Sequence, residues 1–246
     1  MKLIADLHIH SVLSPCGDLE MTPRNIVRRV KELGLNTFSI TDHNSIGNLL
    51  SFKKVAEREN LRFIFGMEVQ TEEEVHVLTY FESYESIRRV WNIIYKKLPA
   101  VNNSPDYFGE QILVNDNDDI VGFERKLLLN SARISIEELA KIVKENKGIA
   151  IPAHINSFAF SILTQLGFIP DHNLFSLLEI SNERDVKKLK EKFGFLKNFN
   201  FVSFSDAHYL KDIGRSITVF YLEGKENLIL ALNRGKVRIR RICYDE

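Results

Sequence analysis

Short apolar, β-branched runs alternate with amphipathic stretches along most of the chain. The runs at residues 2–8, 37–41, 61–69, 75–81, 149–152, 177–180, 201–204 and 217–222 have the length and residue types of buried strands. Between them the apolar positions shift to helical spacing. Thr22 and Pro23 offer an N-cap and first-turn proline for a helix closing near Gly34, and residues 45–60 predict a second helix. Ile87, Val90, Trp91, Ile94 and Leu98 form one stripe of a third, over 86–98. Ser135 and Glu138 make a capping box for a helix ending before Gly148, and further helices are expected over 185–193 and 225–233. Such alternation predicts an α/β architecture of parallel strands covered by helices. About seven strand–helix units in a chain of this length predict a closed or nearly closed barrel.

The alternation breaks at approximately residues 99–130. Asn102, Asn103, Ser104 and Pro105 are loop-like, and 111–114 and 120–123 flank the polar 115–119 as a hairpin would. The excursion reads equally as a lid or substrate wall and as a plain surface insertion in a single domain spanning 1–246. Residues 148–170 carry no Asp, Glu, Lys or Arg, the length of a membrane span. Pro152, His154, Asn156, Ser157, Ser161, Thr164 and Gln165 interrupt it, so it is expected to be a buried strand and buried helix, with no membrane role.

Composition narrows the picture further. With 44% hydrophobic residues the 246-residue chain has material for a sizeable core. Lys+Arg and Asp+Glu are both 33, which argues against holding long nucleic acid mainly by bulk charge without excluding a local basic groove. Cys16 and Cys243 cannot build a disulfide framework. Asp6 and His8 interrupt the N-terminal apolar run too early for a signal-peptide core. Both features fit a cytoplasmic protein.

The chemistry is concentrated at strand ends. Of seven histidines, His8, His10, His43, His76, His154 and His208 lie within or just after an apolar run, as do Glu68 and Asp206. His8 and His10 are two apart and so share a face, a spacing that Asp206 and His208 repeat. In a parallel barrel the carboxyl ends of the strands meet at one mouth, which would bring these residues together. Several imidazoles and carboxylates buried together without a partner would be very costly, and bound metal resolves that cost. His172, in a Pro-Asp-His-Asn loop, is read as surface.

Asp6-Leu7-His8-Ile9-His10, Thr41-Asp42-His43-Asn44, Gly66-Met67-Glu68, the strand-borne His76, Pro152-Ala153-His154 and Ser205-Asp206-Ala207-His208 resemble, in order, the motifs of the PHP (polymerase and histidinol phosphatase) family. The resemblance implies a distorted (β/α)7 TIM-like barrel with the 99–130 excursion inserted, holding two or three divalent metal ions. It implies that His8, His10, Glu68 and Asp206 hold one ion, and that Glu68, His76 and His154 hold a second across the Glu68 bridge. It implies that His43 and His208 hold a third, completed by Asp18 or Cys16. Mixed imidazole and carboxylate ligands suit zinc, manganese or iron. The implied activity is hydrolysis of a phosphoester by metal-activated water, with Asp206, Glu68 and His208 as catalytic residues.

Arg215 and Arg184 are candidate substrate-binding cations for a phosphate, and the basic stretch 234–241 a weaker one. The expected substrate is a small phosphomonoester or nucleotide. An exonuclease-like action on short nucleic acid, an amidohydrolase-type barrel hydrolase and a non-catalytic metal-binding regulatory module are the alternatives.

Overall fold

The computed structural model describes residues 1–182, 184–223, 227–234 and 237–243. Its strands are β1 (Lys2–Asp6), β2 (Thr37–Ile40), β3 (Arg62–Gln70), β4 (His76–Phe81), β5 (Ile112–Val114), β6 (Ile120–Phe123), β7 (Ile149–Pro152), β8 (Leu177–Glu179), β9 (Asn200–Val202), β10 (Ser216–Leu222) and β11 (Val237–Cys243). Its helices are α1 (Pro23–Glu32), α2 (Leu49–Arg58), α3 (Tyr84–Lys97), α4 (Pro105–Phe108), α5 (Ile136–Glu145), α6 (Ile162–Gln165), α7 (Asp185–Lys192) and α8 (Leu228–Asn233). The first two residues of the helix expected over 225–233 lie outside the described residues.

Seven strands form one sheet in the order β11-β10-β1-β2-β3-β4-β7. The expectation of uniformly parallel strands is corrected: β1, β2 and β3 are parallel, but β3–β4, β4–β7, β1–β10 and β10–β11 are antiparallel. The reason for β3–β4 is chain length. Only residues 71–75 separate the two strands, whereas a parallel crossover takes a dozen or more residues.

β8 and β9 pair in parallel with each other, outside that ladder. Ile155 N–H donates to Glu179 O (2.9 Å) on one side of the pair. On the other, Thr218 Oγ1 accepts from Ser203 N–H and donates to Ser203 O (2.9 and 2.8 Å). One interior cluster draws Leu3, Ala5 and Leu7 together with Ile64, Tyr80, Ile151, Leu177, Val202 and Phe220, so β8 and β9 face the same interior as the curled sheet. The result is a mixed α/β fold with a curled, half-barrel sheet. The apolar faces of α1, α2, α3 and α5 pack outside it in a second cluster. α8 adds Leu228, Ile229, Ala231 and Leu232 to the interior cluster, and its last residue, Asn233, donates from Nδ2 to Gly148 O (3.1 Å), just before β7 begins. That closes the end of the sheet opposite the histidines.

The 99–130 excursion contains α4 and the β5–β6 hairpin, and it is clamped to the first loop. Ile112 N–H donates to Val12 O (3.0 Å), and Asn48 bonds both Ile112 O and Val114 N (3.0 Å each). Asp118 reaches across to α1, accepting from Thr22 Oγ1 (2.9 Å) and Arg24 N–H (3.1 Å). It supplies the cap expected of Thr22, whose own side chain makes no capping bond.

The buried helix expected within 148–170 is also corrected. Only the four-residue α6 forms there; Phe158 and Phe160 are exposed because residues 153–161 turn along the rim of the site, and Phe168, beyond α6, is exposed as well. Among the described residues no helix is long and apolar enough to cross a membrane.

Candidate metal centre

The topology explains how side chains far apart in sequence meet. β4 runs back along β3 in a register that pairs Gln70 with His76, so a histidine at the first position of its strand reaches the same end as Glu68. β7 runs back along β4 and delivers His154 there. Ile9 bridges Ala207, and His10 N–H donates to Ala207 O (2.9 Å), which lays the two two-residue motifs side by side. Buried Asp6 fixes the second of them by accepting from Ser205 N–H (3.1 Å) and Gly214 N–H (2.9 Å). His43 bridges Glu68. Asn44, His154, Phe160 and Asp206 all hold positive φ (49°, 28°, 54° and 50°), a conformation costing about 1–3 kcal/mol per non-glycine residue. That four such residues gather around one site shows its geometry is imposed by the surrounding fold.

Glu68 is the hub. Its Oε1 lies 3.3 Å from His8 Nε2, 3.2 Å from His76 Nδ1 and 3.5 Å from His154 Nε2. Its Oε2 lies 3.1 Å from His43 Nδ1 and 3.5 Å from His10 Nε2. Asp206 Oδ1 is 3.2 Å from both His8 Nε2 and His10 Nε2. The His208 ring stacks on His10 with centroids 4.3 Å apart. Three sets of donor atoms lie mutually within 4.8 Å: His8, His10 and Glu68; His43, Glu68 and His76; and His10, Cys16, His43 and His208.

The donor set fits divalent cations. Glu68 Oε1, His43 Nδ1 and His154 Nδ1 are buried without a hydrogen-bond partner. A nitrogen, oxygen and thiol mixture suits zinc, iron or manganese. His43, Glu68, His76, His154, Asp206 and His208 line a cavity of about 220 Å³ together with Ser157, Ala159, Phe160 and Ser181.

Burial and mutual charge divide the histidines into two kinds. Burial and the neighbouring His208 and His43 push His10 well below its ordinary pKa, and burial also lowers His76. Both rings are therefore neutral, with lone pairs available. Burial opposes ionisation of His8, but Glu179, Asp206 and Glu68 outweigh it and raise His8 well above its ordinary value. In the same way Cys16 and Glu68 overcome burial to raise His43 to about 10, and Cys16 and Asp206 raise His208 to about 9. Burial alone would raise the two carboxyls. The surrounding histidines instead hold Glu68 and Asp206 far below the usual carboxylate range.

Behind the donors stand residues that sequence reasoning missed. Glu179, at the end of β8, accepts His8 Nδ1 on both oxygens (3.0 and 3.1 Å) and also His154 N–H (2.9 Å). Ser14 Oγ lies 3.0 Å from His10 Nδ1 and donates to Asp42 Oδ1 (2.8 Å). Gln70 Oε1 is 3.2 Å from His76 Nε2. Such contacts fix the tautomer and orientation of metal-ligating imidazoles. The signal for Glu179 was a charged residue closing an apolar run, the same signal that Glu68 carries.

The remaining candidates lie elsewhere. The Asp18 carboxylate turns away to accept Glu20 N–H (2.8 Å), forming an Asx turn, while the Cys16 thiol lies with His43 and His208. Arg215 pairs with Asp212 (3.2 Å) three residues before it and lines a separate cleft with Arg29 and Lys211. Arg184 is exposed ahead of α7. Neither arginine lines the histidine cavity.

A curled, half-barrel α/β sheet with imidazoles and carboxylates able to hold metal ions gathered at one mouth defines the class. Within that class the chain belongs to the PHP domain family, whose model matches residues 6–200. Its fold is similar to that of the lesion-specific endonuclease Q of Pyrococcus furiosus (TM-score 0.73, 20% identity), covering 97% of this chain and 58% of that one. It is also similar to a proposed metal-dependent phosphoesterase of Bifidobacterium adolescentis (TM-score 0.54, 18% identity), covering 83% and 87% of the two chains. Over 77 residues it is 35% identical to an uncharacterized protein of Methanocaldococcus jannaschii, covering 28% of this chain and 45% of that one. The chain thus spans about half the length of the Pyrococcus and Methanocaldococcus relatives.

Proposed function

We propose that this chain is a metal-dependent phosphoesterase in which His8, His10, Glu68 and Asp206 hold one divalent ion and Glu68, His76 and His154 a second. His43, His208 and Cys16 would hold a third, with Cys16 in the place for which Asp18 was the other candidate. The observation that carries the reading is the convergence of six imidazoles on the Glu68 and Asp206 carboxylates, four of those imidazoles lining one cavity. In this reading β8 and β9 complete the curled sheet into a distorted (β/α)7-like barrel carrying extra strands.

Bound ions would neutralise charge on the phosphoryl group and lower the pKa of water to near 7. The chain's own residues do the rest. Glu68, fully charged and buried, would balance the charge of the cations. Neutral His10 and His76 present lone pairs without first losing a proton. The Asp206 side chain, 38% exposed, is the ligand carboxylate that meets solvent, and it orients the incoming water. The water oxygen forms a bond to phosphorus while the ester P–O bond breaks. The departing alkoxide takes the proton that the attacking water gives up, relayed by the solvent-facing Asp206 carboxylate.

A second reading, a phosphodiesterase acting within or at the end of a short nucleic acid, is supported by the fold likeness to endonuclease Q over nearly the whole chain. Protein loaded with Mn, Zn or Fe(II) should be tested against a panel of phosphomonoesters, short oligonucleotides, lactones and amides. Turnover of phosphorus esters alone supports the proposal. Turnover confined to lactones or amides, or none in fully loaded protein, rejects it.

A further inference from the structure

Phe158 is 98% exposed, although it stands between two residues, Ser157 and Ala159, that line the metal-centre cavity. A single exposed phenyl ring is unremarkable on most surfaces. This one is held on a braced loop. Ser157 N–H donates to His154 O (2.8 Å), and Ser161 Oγ and Thr164 Oγ1 both donate to Ser157 O (2.9 and 2.8 Å). Two residues on, Phe160 is held at φ +54° and stacks on His76, centroids 4.7 Å apart and planes 6° apart, while its carbonyl accepts His76 N–H (2.9 Å). The loop therefore grips a ligand histidine with one aromatic ring and turns the other to solvent at the rim.

The cavity is too small for a whole ligand. Its volume of about 220 Å³ falls below the roughly 300–1,000 Å³ of pockets that enclose one. A phosphoryl group at the ions would fill it, and the rest of the ester would cross the rim beside Phe158. The lining there is Ser157, Ala159, Phe160 and Ser181, with no long aliphatic side chain to hold an acyl chain. Among the described residues lining the cavity there is no Lys or Arg to mark a second phosphate on a small metabolite. A flat ring presented on a braced loop matches a flat π system.

Resting on the phosphoesterase reading, we infer that Phe158 is a stacking platform for a nucleobase, so that the substrate is a base-bearing phosphoester, either a free nucleotide or a nucleotide unit of a strand. Base–aromatic stacking is tolerant of base identity, so the platform selects for the presence of a base and not for its type.

The test uses the metal-loaded full chain. A Phe158→Trp variant adds an indole whose fluorescence is read against that of Trp91. Deoxyadenosine 5′-monophosphate, 2-deoxyribose 5-phosphate and a short oligothymidylate are the titrants. Quenching by the mononucleotide or the oligonucleotide, but not by the abasic sugar phosphate, supports the platform and identifies the source of the base. Equal quenching by all three, or by none, overturns it.

In kinetics, Phe158→Ala should lower the preference for the base-bearing over the abasic ester, as the ratio of their KM values, by about tenfold. An unchanged ratio overturns the inference. Base-dependent quenching in a protein that cleaves no phosphoester would remove the hydrolase reading and leave the platform. Cleavage with no base dependence would do the reverse.

Discussion

Glu179 grips His8 from behind: both carboxylate oxygens lie 3.0–3.1 Å from His8 Nδ1, leaving Nε2 aimed at Glu68 and Asp206. The contact fixes which nitrogen carries the proton, and it forms where neither group meets solvent. Outer contacts of this kind are worth about 10–100-fold in metal affinity. Glu179→Gln keeps an acceptor for Nδ1–H and should cost about tenfold. Glu179→Ala orphans both Nδ1 and the His154 N–H and should cost about a hundredfold. Chelator competition measures both, and unchanged affinity in the alanine variant would show that His8 needs no such support.

Cys16 gives a second test through its pH dependence. Burial pushes its thiol up, but hydrogen bonds to His208 and His43 more than compensate and bring it down from 9.0 to about 7. The thiolate is the reactive form, so alkylation of metal-free protein should climb with pH through a midpoint near 7. In a Cys243→Ser background, iodoacetamide labelling followed by mass spectrometry reads Cys16 alone. Loading with zinc should suppress labelling. A midpoint near 9, or labelling indifferent to metal, would remove Cys16 from the centre.

His76 shows why the sequence conveyed the site better than the topology. Strand periodicity marks where a run begins and ends, so the placement of His76, His154 and Glu68 at strand ends was legible. Strand direction is not written in that periodicity. The antiparallel β3–β4 pairing follows from a five-residue link whose significance lies in its length. Glu179 closes an apolar run as Glu68 does, but its role exists only once the folded chain sets its carboxylate against His8. Arg215 misled because a cation near a motif in sequence was drawn instead to Asp212, three residues away. The aromatic residues of 153–161 read as core because composition cannot register a chain turning along a rim.

Gly109 tests whether the inserted excursion braces the Cys16 loop. It holds φ +95°, and a Cβ there would sit 2.4 Å from Pro15 O, a backbone atom that cannot step aside. Gly109→Ala should destabilise the protein by about 1–3 kcal/mol. Denaturant unfolding measures the loss. Because Pro15 adjoins Cys16, the variant should also weaken zinc protection of Cys16 from alkylation. Full stability with undiminished protection would show that the excursion merely rests on the surface.

The division of histidines into protonated and neutral predicts how metal binding depends on pH. In metal-free protein His43 (about 10), His208 (about 9) and the raised His8 each hold a proton at pH 7, while the lowered His10 and His76 hold none. An ion needs the imidazole lone pair, so the first three must release their protons on binding. Binding at pH 7 should therefore acidify a weakly buffered solution, and affinity should rise with pH until it levels off between about 9 and 10. Calorimetry in buffers of different ionisation enthalpy counts the protons. Glu68→Gln removes a charge that favours the protonated forms of both His8 and His43, so fewer protons should leave. Because Glu68 touches five histidines directly, affinity should also fall by more than the roughly 100-fold of an outer-contact loss. Binding that neither releases protons nor responds to pH would mean that the ions sit on other groups.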